Sequence, residues 1–158
     1  MFVRGSTLVA LMRLVAWLLA AACVILALVG FFRGGSIAAA TLGFPGSCGT
    51  FFFVTLARTS TMNRRQVAEL GAWPLYAAGA ALGVSAFLGA STLIRPGLGL
   101  YALPLSVVGS PLLAVACLRL STATERRAAW YGVAVASMGL AMAGAVLIMR
   151  LGPLYGLS

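Results

Sequence analysis

Hydrophobic residues in this chain fall in long unbroken runs, not in the alternating or three-and-four spacing of elements that bury one face. Five runs, 14–32, 36–57, 70–94, 98–118 and 128–149, hold no charged residue. At about 1.5 Å of rise per residue, each is long enough as a helix to cross roughly 30 Å of hydrocarbon. The links between them are short. The pattern therefore predicts an all-α fold: a single membrane domain over residues 1–158, built as a polytopic bundle of about five transmembrane helices.

Composition agrees. The chain is 62% hydrophobic and 8% charged, against about 25% charged in a soluble domain. All eleven cations are arginine, the only acids are Glu69 and Glu125, and Asp and His are absent. A net charge of +9 would suggest nucleic acid in a soluble protein. Here the arginines stand between apolar runs, so the expected counterpart is the bilayer surface and its anionic lipid headgroups.

The arginines also orient the chain. Arg4 and Arg13, then Arg58, Arg64 and Arg65, then Arg119, Arg126 and Arg127 share one side if all five runs cross; Arg33, Arg95 and Arg150 take the other. Eight against three predicts a cytoplasmic N-terminus, an outside C-terminus and residence in a cell membrane. Trp73, Tyr76, Trp130 and Tyr131 follow the cytoplasmic arginine pairs, and Tyr101 marks the outer end of the fourth run, as interfacial aromatics do. Arg4 and Arg13 ahead of an apolar stretch also resemble a cleaved leader, but the sequence stays apolar from Cys23 to Phe32, which predicts a retained helix.

The second and fourth runs share features in order. Gly46-Ser47 matches Gly109-Ser110, Arg58-Thr59-Ser60-Thr61 matches Arg119-Leu120-Ser121-Thr122, and an arginine pair and a tryptophan follow each. A parallel repeat of spans two and three onto spans four and five would produce this pattern.

Three groups of residues stand out. The segment Gly43-Phe44-Pro45-Gly46-Ser47-Cys48-Gly49-Thr50 combines a missing N–H with flexible backbone in mid-span, and Ser106, Gly109, Ser110 and Pro111 are a milder counterpart. Two interrupted spans in corresponding positions point to a midplane site. Gly46, Ser47, Cys48, Gly49, Thr50, Ser106, Gly109 and Ser110 are therefore candidates for solute contact or for helix packing. Gly79 with Gly83, and Gly132 with Gly139, form small-residue faces suited to helix–helix association. Arg64, Arg65, Arg126 and Arg127 are the candidate lipid-headgroup residues.

The missing chemistry narrows the function. Without His, with two acids and with three scattered cysteines (Cys23, Cys48 and Cys117), no metal-ligand set, catalytic triad or carboxylate pair can be assembled. No enzyme activity, metal or cofactor is expected, and Cys48 lacks a base to activate it. The expectation is an accessory or structural subunit, or assembly partner, of a larger membrane complex, associating with other membrane-protein subunits or with itself. The alternative is a small homo-oligomeric transporter or channel for an uncharged or anionic solute.

Overall fold

Each apolar run forms a helix in the computed structural model, which describes residues 3–60, 62, 65, 69, 72–122 and 125–156, with side chains from Ser6 onward. Helix α1 spans Val3–Phe32. Helix α2 spans Ser36–Thr59, α3 Ala72–Ser91, α4 Pro96–Ser121 and α5 Arg127–Arg150. All five are long and apolar enough to cross a membrane. A short 3₁₀ turn, Gly152–Tyr155, follows α5. The expected start of the third span at residue 70 and the candidate headgroup residue Arg64 lie outside the described residues.

The helix ends follow local chemistry. Gly34 and Gly35 take φ of 71° and 94°, a left-handed backbone that glycine adopts without a Cβ clash, and they turn the chain from α1 into α2. Arg95, before Pro96, is extended (φ −134°, ψ 100°) because the proline ring disfavours helical backbone at the preceding residue. Pro96 then opens α4, where the missing N–H leaves no bond unmade. Helix α1 begins well before residue 14, because Ser6, Thr7 and Arg13 are ordinary helix residues once the apolar run has nucleated the segment.

Two helices form the centre. Helices α2 and α4 have the largest buried share, 56% and 50% of their most apolar stretches, against 22% for α5. Helix α1 packs on α2, α3 lies against both α2 and α4, and α5 covers α4. The main core gathers Cys48 and Phe52 of α2, Leu75, Ala78 and Leu82 of α3, Leu113, Cys117 and Leu120 of α4, and Trp130 and Ala134 of α5. A smaller cluster joins Ala40, Leu103 and Leu151, so the turn after α5 closes one end of the bundle.

The outer faces are apolar. Leu18, Ile25 and Phe32 on α1, Tyr76 and Phe87 on α3, and Val135, Met142 and Met149 on α5 are all exposed. An apolar surface this continuous is far larger than the patches soluble monomers tolerate, and it suits lipid. Within the helices, side-chain hydroxyls return to backbone carbonyls one turn back, as Ser47 does to Gly43 (2.9 Å) and Thr50 to Gly46 (2.8 Å). This satisfies polar groups where no water is at hand.

Candidate functional site

Pro45 sets the shape of α2. The expected break over 43–50 is not an unwound segment: the chain makes a π-helical turn over Ala39–Gly43 and resumes α-helix at Phe44. The Phe44 amide reaches back five residues to the Ala39 carbonyl, and Pro45 falls in the first turn of the new register, where its missing N–H is harmless. The Thr41 carbonyl, four residues before the proline, faces Gly89 of α3; a Cβ added at Gly89 would lie 2.9 Å from that oxygen and 3.1 Å from the Pro45 ring. A neighbouring backbone thus shields the distortion. In α4, Pro111 lies inside a continuous helix, so that span is intact as well.

The candidate residues separate into two sets. Gly46 and Gly49 face α1. A Cβ on Gly46 would sit 2.5 Å from the Ala27 amide nitrogen and 2.8 Å from the Cys23 carbonyl, and one on Gly49 would sit 2.8 Å from Cys23 Sγ. Gly30 and Gly43 also meet backbone to backbone. This is an antiparallel helix crossing in which bare glycine surfaces let main chains touch. Ser47 and Thr50 are half-buried and bonded within their own helix.

Cys48, Ser106 and Ser110 come together between α2 and α4. The Ser110 hydroxyl donates to the Ser106 carbonyl (2.7 Å), so the Cys48 thiol is the donor to Ser110 Oγ, 3.2 Å away. Two turns further on, the Thr55 hydroxyl donates to the Phe51 carbonyl (2.8 Å), and Cys117 Sγ lies 4.0 Å from Thr55 Oγ1. Both contacts link residues 62 apart, so α2 and α4 run side by side in the same direction. In the other direction, the hydroxyls of Ser106 and Ser85 are 2.5 Å apart and both reach the Ala102 carbonyl, at 2.9 and 2.7 Å. With one proton each, one hydroxyl donates to the carbonyl and the other to its neighbour's oxygen. Ser85, Ser106 and Ser110 are all at most 1% exposed. Gly109 receives the Leu82 side chain at 2.6 Å from its would-be Cβ.

The glycine faces divide likewise. Gly79 takes the edge of the Phe52 ring, so it packs this bundle. A Cβ at Gly83, Gly132 or Gly139 would meet nothing within 4 Å, and Gly132 and Gly139 are exposed on α5. Arg65, Arg126 and Arg127 are exposed, and the Arg119 guanidinium lies 6.0 Å from the Trp73 ring centroid, within cation–π range.

Open space lies at the two ends of α2. One pocket, about 530 Å³, is lined by Arg33, Gly35, Ser36, Thr41, Thr92 and Pro96. The other, about 610 Å³, is lined by Arg13, Trp17, Arg58, Glu125, Arg126 and Trp130. Cys48, Ser106 and Ser110 line neither. Sequence reasoning passed over Ser85, Thr55 and Cys117, because single polar residues in apolar helices carry no directional pattern. It set Arg13, Arg58 and Arg126 on one side but did not bring them to one pocket, because they belong to three stretches far apart in the chain. Beyond the seam, the phenol of Tyr155 has no hydrogen-bond partner among the described residues, and burial pushes its pKa above the ordinary value.

No protein family, curated protein or solved structure shows a significant match to this chain. The geometry defines its class: a bundle of five apolar helices of membrane-spanning length.

Proposed function

We propose that this chain is a non-catalytic subunit or assembly partner within a larger membrane complex. The closed seam between α2 and α4 carries this reading. The groups a passing solute would use, Cys48, Ser106 and Ser110, are bonded to one another and to backbone carbonyls, and the two pockets described above lie at the ends of α2 and include none of them. The outward Gly132 and Gly139 on α5, beside Val135 and Met142, suit close approach by a partner's helix.

On this reading the chain crosses the cell membrane five times, with the N-terminus cytoplasmic and the C-terminus outside. The two pockets support it: one gathers Arg13, Arg58 and Arg126, the other Arg33 with Thr92 and Pro96, the same partition that the arginine tally requires. Alkaline phosphatase fused after Ser158 is expected to be active; a stable but inactive fusion would reject the orientation. The 62-residue offset of the seam contacts is close to the spacing of Gly46 from Gly109 and of Arg58 from Arg119, which supports a parallel repeat meeting along α2 and α4. Outside the seam the symmetry fades, because α3 packs extensively along α4 while α5 touches α2 lightly.

Purification in mild detergent tests the function. Co-purification with other membrane proteins at fixed stoichiometry is expected, together with a Cys48 that water-borne maleimide does not label. A homo-oligomer free of other chains, with Cys48 labelled, would replace this reading with a small transporter or channel for an uncharged or anionic solute.

A further inference from the structure

The pocket where α5 begins and α2 ends, against the Arg13–Trp17 turn of α1, has the chemistry of an anion site. Arg13, Arg58 and Arg126 line it against one carboxylate, Glu125, so the lining is net cationic. Guanidinium groups match the paired oxygens of a phosphate in a fixed fork. Helix α5 begins at this pocket, and its first turn has no side-chain cap and no acidic residue, so the positive end of the helix adds to the field. Two indoles, Trp17 and Trp130, also line the pocket. Trp17 is 44% exposed, as a ring at headgroup depth would be.

What lies below the pocket identifies the rest of the ligand. On α2, the face that carries Arg58 continues through half-buried Val54, Phe51 and Ser47, at helical spacings of four and three. On α1, the face of Trp17 continues through exposed Ala21, Val24 and Leu28. On α5, the face of Trp130 continues through half-buried Val133 and Leu140. A cationic mouth therefore opens onto an apolar track between α1 and α5, floored by α2.

We infer that this pocket binds the phosphate of an anionic phospholipid, whose acyl chains lie along that track. The inference rests on the membrane-spanning reading above but not on the proposed role in a complex.

The test is native mass spectrometry of the full chain in mild detergent, titrated with phosphatidylglycerol or phosphatidylcholine. Phosphatidylglycerol is expected to stay bound preferentially. Arg13→Gln with Arg126→Gln is expected to weaken it at least about tenfold, since each arginine near an anionic headgroup contributes a several-fold factor. Arg33→Gln, at the other end of the bundle, should leave retention unchanged. Arg13→Gln alone, on an exposed side chain, gives a weaker version of the same loss if the double variant does not fold. Equal retention of both lipids, unchanged affinity in the arginine variants, or an equal loss in Arg33→Gln would overturn the proposal. Displacement of the lipid by about 10 mM inorganic phosphate, roughly ten-thousandfold over a micromolar site, would assign the pocket to a soluble phosphate compound instead. Alkaline carbonate extraction separates the two failures: a chain that leaves the membrane fraction rejects the membrane reading itself.

Discussion

Replacing Gly46 by leucine is expected to separate α1 from α2 and to lower the stability of the detergent-solubilised protein by about 3 kcal/mol, the upper range for an overpacked core. The atoms in the way are backbone: the Ala27 nitrogen and the Cys23 carbonyl lie 2.5 and 2.8 Å from a Cβ at that position. Neither can rotate aside as a side chain would. The crossing is also held mainly by dispersion, because helices in lipid gain no hydrophobic driving force from touching each other. A shift of a few tenths of an ångström therefore removes contacts along the whole line from Gly30–Gly43 to Cys23–Gly49. The measurement is a reversible SDS titration followed by circular dichroism. Gly132→Ala is the control: a Cβ there meets nothing within 4 Å, so the substitution should be neutral or stabilise by a few tenths of a kcal/mol through helix propensity. Equal behaviour of the two variants would mean that α1 does not cross α2 at Gly46.

The same glycine shows how far the sequence could be read. The existence and approximate limits of all five helices were legible, because an uncharged apolar run of this length has few stable alternatives. Helix facing was not. In a water-soluble bundle the polar face marks the outside, but these helices are apolar all round, so the inward side has no signature. Gly46 and Gly49 therefore looked like partners of Ser47 and Cys48, and the folded chain turns them toward α1 instead. Gly132 and Gly139 form as good a small-residue stripe as Gly79 and Gly83, yet of these four only Gly79 receives a close neighbour, the Phe52 ring. Pro45 marked the distortion to within a turn, but the π register that absorbs it depends on Gly89 lying over the Thr41 carbonyl, a contact between distant positions. Cys48, Ser106 and Ser110 are legible as candidates from their mid-span positions. Their convergence depends on the parallel pairing of α2 with α4, which no local pattern encodes.

That pairing gives the second large effect. Ser110→Cys is expected to form a disulfide with Cys48 under mild oxidation, because the two side chains already meet at 3.2 Å. Thr55→Cys is expected to do the same with Cys117, where the atoms are 4.0 Å apart. A Cys23→Ala background is needed, since Cys23 Sγ lies near Gly49 and its thiol would compete. Intact mass and thiol counting report the bond; Val108→Cys, on the exposed face of α4, should stay reduced. Closing a loop of about 60 residues should raise stability by about 4 kcal/mol in the chain-entropy account. Formation of both links at once would fix α2 and α4 as parallel neighbours in one register, since antiparallel helices cannot satisfy two pairs with the same offset. The links also bear on function. A solute passing between α2 and α4 must part Cys48 from Ser110, whereas a subunit that only holds partners on its outer faces need not move there. On the proposed subunit role, undiminished co-purification with other membrane proteins in the oxidised Ser110→Cys protein is therefore the expected outcome, and loss of that association on oxidation with recovery on reduction would make the seam a moving part.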